Sequence, residues 1–394
     1  MTFRRISRGR PAAFATVAVL LAGLVVAGCG DSSSGGGDSG DGPVKVGAVL
    51  PLTGPAAFFG PLQRDGLRLK LSEAGAKAAG RPVELIMLDG GSTLESTQTA
   101  ARKLIEEEGV SMIIGPLQSD MMAGISPYYE QQGIPAIALL NLPPELGGKV
   151  FAPQGDLQST SAPVGKYEAE KLGVKTASAV VSDYIAGEDV ATGVEEGLAE
   201  AGGKVVQKQK VPLTSTDYAP YLSNITSSEA LSPWILGATQ NFLEEYIKRG
   251  AFDHVLIGYG DALTEEQLDA FGSKAKGWLA PLTYAWRVDT PASREFTKAV
   301  EERYDRKPVA QIDEGAYEAM MVALEALEAT GGDTDPDKLK EAILGLELDT
   351  PAGKVTFKED GFGVRPIYIL EATELEGQMA WKPIHTYENV GEEG

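Results

Sequence analysis

The chain has 394 residues, and 56 acidic side chains outnumber 35 basic ones to give a formal charge of −21. That balance argues against nucleic acid or anionic lipid as a partner, since both call for clustered Lys and Arg. The one cysteine excludes an intramolecular disulfide, and the two histidines form no cluster with metal-ligand spacing.

The first segment reads as an export address. Arg4, Arg5, Arg8 and Arg10 precede a run from Ala12 to Gly28 in which Thr16 is the only polar side chain. The run is short for a membrane span and fits a secretory signal core. It ends in Leu24-Val25-Val26-Ala27-Gly28-Cys29, small residues before the lone cysteine, which resembles the bacterial lipobox. Cleavage before Cys29 and lipid on its thiol are therefore expected. The Arg4-Arg5 pair leaves Sec and twin-arginine export both open. Gly30 to Gly42 contains only Gly, Ser and Asp, a flexible tether spanning about 20 Å. About 350 residues follow, too many for one compact core and suited to two lobes.

The body alternates strands and helices, the pattern of parallel sheets covered on both faces. Val44–Leu50 is the first expected strand, and Leu67, Leu71, Ala74 and Ala78 mark a helix after it. Val83–Leu88, Ser111–Ile114 and Ile134–Ala138 continue the series, with a helix between the first two lined by Thr97, Ala100, Ala101, Leu104 and Ile105. A second series follows Pro153: strands at Ser178–Val181, Val205–Val206, Trp234–Leu236 and Val255–Ile257, and a helix over 188–201 stopped by Gly202-Gly203. A long helix over 313–329 should return to the first lobe. Crossings are expected near Pro153–Gly155, Pro281–Ala285 and Lys358–Gly363. They give lobe I over 43–154 plus 284–360 and lobe II over 155–283 plus 361–390, joined by a three-crossing hinge able to close on a ligand.

Catalytic signatures are missing, so no enzyme activity and no cofactor are expected. Ligands of open α/β sheets lie beyond the carboxyl ends of strands. The segments there are Pro51–Gly60, Gly115–Ser119 and Leu139–Pro143 in the first lobe.

Pro51-Leu52-Thr53-Gly54-Pro55 with Phe59-Gly60, then Leu88-Asp89, Ile113-Ile114-Gly115-Pro116 and Gly133-Ile134-Pro135, in this order, resemble the leucine/isoleucine/valine-binding family. These are type I periplasmic binding proteins of ABC importers, and the resemblance covers 43–375. It implies an α/β fold of two Rossmann-like lobes and a small-molecule solute in the interlobe cleft. It implies as partners an ABC permease with its ATPase, and contact with the membrane through the lipid anchor only. The family's aromatic contact falls on Phe59, for which loop exposure or lobe packing is the other reading. Its carboxylate-binding serine falls on Ser119, which could equally cap a helix. Leu117 and Gln118 flank it. The family's threonine-bearing segment is Leu140-Asn141-Leu142 here, so the hydroxyl is lost. Tyr184 lies two residues before the aligned aromatic, Thr239 is expected over the ligand, and Asp261 stands near the position that pairs with an α-ammonium or else caps a helix. The implied solute is an amino acid, an aromatic acid or an amide. The other reading of the same fold is a ligand-sensing receptor coupled to a signalling partner.

Overall fold

The computed structural model describes residues 42–225, 227–250, 255–256 and 263–392. Cys29, the leader, nearly all of the tether and Asp261 lie outside the described residues. In chain order the elements are β1 Val44–Leu50, α1 Phe59–Glu73, β2 Lys77–Ala78, β3 Arg81–Asp89, α2 Leu94–Arg102, β4 Met112–Ile114, α3 Ser119–Gln132 and β5 Ala136–Ile137. Then come α4 Leu157–Tyr167, β6 Thr176–Ser182, α5 Ile185–Glu200, β7 Lys204–Val211, α6 Ala219–Ser223, β8 Ala230–Trp234, α7 Thr239–Lys248, β9 Val255–Leu256 and α8 Glu265–Phe271. The chain ends with β10 Leu279–Leu282, α9 Pro291–Tyr304, α10 Ala310–Ala329, α11 Pro336–Leu344, β11 Glu347–Thr350, β12 Gly353–Phe357, β13 Gly363–Leu375 and β14 Gln378–Val390.

The first sheet runs β2-β3-β1-β4-β5, and its core strands pair parallel. β1 lies at its centre with six of seven residues buried, as a strand covered on both faces must. Helix α10 supplies one cover. It is buried on nearly every side and packs on α1. The contact is close at Gly66, where a Cβ would sit 2.3 Å from the Asp313 carbonyl oxygen. The second sheet, β7-β6-β8-β9, is all parallel. The third is antiparallel, β10-β13-β12-β11 with β14 on β13. Its β11 and β12 join the core of the first sheet, whereas β10, β13 and β14 join the core of the second.

Several elements differ from the sequence reading. α1 stops at Glu73 because Gly75 and Ala76 are left-handed, and Ala78 belongs to β2 instead of the helix face. The strand expected at Trp234–Leu236 lies at Ala230–Trp234, and Ile235-Leu236 form its exit. The antiparallel sheet at the C-terminal end was not expected from the strand–helix alternation.

Three segments connect the two core regions: Ala152–Asp156, Leu282–Ala285 and Gly361–Arg365. The first and third run side by side, with Ala152 N donating to the Gly361 carbonyl (3.0 Å) and Gly363 N to the Ala152 carbonyl (2.9 Å). Gly363 is needed there, since a Cβ would lie 2.1 Å from the Pro153 carbonyl oxygen.

Candidate ligand-binding cleft

The carboxyl end of β1 opens into a loop that Asp89, at the end of β3, holds in place. Its carboxylate accepts from Leu52 N (3.0 Å), Thr53 N (3.2 Å), Thr53 Oγ1 (2.6 Å) and Gly91 N (2.8 Å). Burial pushes this carboxyl up, but the Thr53 hydroxyl and the three backbone donors together outweigh it and hold it below the usual carboxylate range. The clamped loop presents two aromatic rings: Phe58 is 60% exposed and Phe59 half-buried, edge-on to each other at 5.5 Å.

The end of β4 leads through Gly115 to Leu117 and Gln118, both half-buried, and then to Ser119, the buried first residue of α3. Gln118, not Ser119, occupies the N-cap position, and no side chain caps this helix. The first-turn N–H groups of α3 are thus not taken by a capping side chain, beside the Ser119 hydroxyl. Such a helix start suits a carboxylate.

After β5, Leu140 is half-buried and Asn141 is fixed by donating from Nδ2 to Thr160 Oγ1 (2.9 Å) on α4. Leu142 differs from the sequence expectation. Its side chain lies in the core, and its N–H donates to the Gly155 carbonyl (3.2 Å), so it offers a ligand neither group.

In the second lobe, Tyr184 precedes α5 and stacks on Trp234, ring centroids 5.7 Å apart and planes at 20°. Trp234, at the end of β8, was not singled out from the sequence. Ile185 and Leu236, exposed at the ends of β6 and β8, were likewise missed. Thr239 is the second correction: it is buried, and its hydroxyl donates to the Ile235 carbonyl (2.9 Å) and accepts from Ile235 N (3.1 Å), closing its own turn. Helices α3 and α5, one from each lobe, touch. Asp189 of α5 is pushed up to about 6 by burial and then by the carboxylates of Glu145, Asp156 and Glu188. Among the described residues, no group of His, Cys, Asp or Glu is arranged to hold a metal ion.

Residues 43–378 match the family model described as "Periplasmic binding protein". A Leu/Ile/Val-binding protein homologue from Brucella abortus is 30% identical over 369 residues, covering 89% of this chain and 93% of the relative. An ABC-transporter substrate-binding protein from Sphaerobacter thermophilus superposes with a TM-score of 0.82 at 27% identity, covering 88% of this chain and 98% of that one. The solute-binding protein of an ABC transporter from Rhodopseudomonas palustris, in complex with 3,4-dihydroxybenzoic acid, gives a TM-score of 0.81 at 25% identity over 89% of this chain and 98% of its own. With two lobes, three connections and a family match over nearly the whole described body, this chain belongs to the periplasmic binding protein family and has its type I fold.

Proposed function

We infer that this chain is the extracytoplasmic solute-binding component of an ABC importer, capturing a small carboxylate with an apolar body between its lobes. The observation that carries the reading is the uncapped start of α3 at Ser119, set on the same strand-end face as the Phe58–Phe59 pair. A carboxylate satisfies the helix start while rings and aliphatic side chains take the rest, the usual mix in such pockets. The Tyr184–Trp234 stack supplies a flat apolar wall from the second lobe. Both an aliphatic amino acid and an aromatic acid fit this division. The Brucella relative is named for the first class, and the Rhodopseudomonas relative holds a member of the second. Closure over the solute gives a permease with its ATPase a loaded form to recognise.

Calorimetric titration of the chain with leucine and with 3,4-dihydroxybenzoate tests the reading. Ser119→Ala should weaken whichever binds by about tenfold or more and leave the thermal midpoint of the empty protein unchanged. Asp261→Asn should matter only for leucine, whose ammonium it would face. Parent-like affinity in Ser119→Ala would falsify the carboxylate assignment.

The anchor belongs to the same reading. The lone Cys29 after Val26-Ala27-Gly28, followed by a Gly/Ser/Asp run, supports lipidation and a tethered body. Cys29→Ser should move the exported protein from the membrane to the soluble fraction. Retention as firm as that of the parent after fractionation would defeat the idea.

A further inference from the structure

Where the three connections pass between the lobes, a closed set of polar side chains lies between them and α10. Gln154, Thr283, Gln311, Glu314, Glu318 and Arg365 are each at most 2% exposed. Arg365, on the third connection, donates from Nη1 to the Pro153 carbonyl of the first (3.1 Å) and to both Glu318 oxygens (3.1 and 2.9 Å). From Nη2 it donates to the Thr283 carbonyl of the second (3.2 Å). One guanidinium thus holds all three connections and the long helix of lobe I.

Gln154 closes the ring from the other side. Its Nε2 donates to Glu314 Oε2 (2.8 Å) and Glu318 Oε2 (3.0 Å), and its Oε1 lies 2.5 Å from the Thr283 hydroxyl. That hydroxyl also meets Gln311 Oε1 at 2.8 Å. Two carboxylates share one guanidinium. Both Glu318 oxygens accept from its Nη1, while Glu314 Oε1 stands 3.8 Å from Arg365 Nη2 and makes no hydrogen bond. Burial first, and then the charge of Glu318, push the Glu314 carboxyl well above the ordinary range.

A buried ion pair is weak evidence of stabilisation, since an apolar plug of the same volume often serves as well. What an apolar plug lacks is direction. Hydrogen bonds to the Pro153 and Thr283 carbonyls fix the backbone at the points where a hinge rotation must be absorbed. We propose that Arg365, Glu318, Gln154 and Thr283 form the pivot that sets the resting angle between the lobes, and thereby act on solute affinity as positioning residues without touching the solute. The proposal rests on the reading of the chain as a protein that captures by closing. A solute that prefers the closed form binds more weakly as that form becomes less populated, so a loosened pivot changes affinity through the population.

The test uses the full chain with Cys29→Ser and spin labels at Glu130→Cys on α3 and Ala199→Cys on α5, both exposed positions. Interlobe distance distributions are measured without any solute, so the outcome is independent of whether leucine or an aromatic acid binds. Glu314→Gln, at a carboxyl that makes no hydrogen bond to Arg365, should leave mean and width as in the parent. Thr283→Val and Glu318→Gln should each widen the distribution about twofold or shift its mean. Thr283→Ser should restore it, while the thermal midpoint of Thr283→Val stays near that of the parent. If Glu318→Gln does not fold, Thr283→Val decides alone. Parent-like distributions in the folded variants would show that the set only fills space, and the proposal would fall.

Discussion

Arg365→Met should cost the folded protein about 3–5 kcal/mol, enough to remove about a fifth or more of a typical stability of about 5–15 kcal/mol. The guanidinium is fully buried and is the cation that meets Glu318, whose two oxygens it holds at 3.1 and 2.9 Å. Methionine fills most of the volume, so the loss comes from what remains: a carboxylate in a dry site and two carbonyls, of Pro153 and Thr283, without this donor. Removing the second charge as well, in Arg365→Met/Glu318→Leu, should recover much of the loss, because a buried pair replaced by apolar side chains is often neutral. Urea unfolding of both variants reads the loss and its recovery. A deficit of Arg365→Met under about 1 kcal/mol, the size of a surface pair, would mean that water reaches Glu318.

Much of this fold was written in short apolar runs. Val44–Leu50 and Ser178–Val181 are buried strands because their side chains suit a sheet covered on both faces, and Val83–Leu88, mostly half-buried, pairs along the side of β1. The less legible parts share a cause: the deciding partner is distant in sequence. β13 and β14 alternate less cleanly than the parallel strands, since β13 leaves one core region for the other near Arg365. A usable signal was present in Glu376-Gly377, both left-handed, which turn β13 into β14 as a hairpin. At the cleft, strand-end position led to Phe59 beyond β1 and to Gln118 and Ser119 beyond β4 but could not say whether a hydroxyl was already used. Thr239 spends its hydroxyl on Ile235 four residues back, a local bond that residue type does not reveal. The pivot also left a trace: Gln311, Glu314 and Glu318 recur at helical spacing along one side of a buried helix. Paired acids at that spacing in a buried helix imply a cation from elsewhere in the chain.

Gly197→Ala should destabilise the second lobe by about 2 kcal/mol or more, net of a helix-propensity gain of about 1 kcal/mol. Helices α4 and α5 meet backbone to backbone through three glycines. A Cβ at Gly165 would sit 2.3 Å from the Val194 carbonyl oxygen, one at Gly193 2.2 Å from that of Gln158, and one at Gly197 1.9 Å from that of Ala162. The last is the tightest, and the atom it strikes belongs to a helix backbone, which cannot rotate aside as a side chain can. The helices must therefore part by more than an ångström, loosening the buried Val164, Val194 and Leu198 around them. Gly124→Ala is the matched control. It too lies inside a helix, but its Cβ would meet Leu94 Cδ1 at 2.6 Å, the end of a flexible side chain that is 38% exposed. There the propensity gain should prevail, and stability should hold or rise slightly. Thermal and urea unfolding of the two variants side by side would separate them by several degrees in opposite directions. If Gly197→Ala were as stable as Gly124→Ala, the close approach of α4 and α5 would not be what the glycines are for. Because α5 begins at Tyr184, which we propose lines the solute cleft, a Gly197→Ala protein that still folds should also bind solute less tightly than Gly124→Ala.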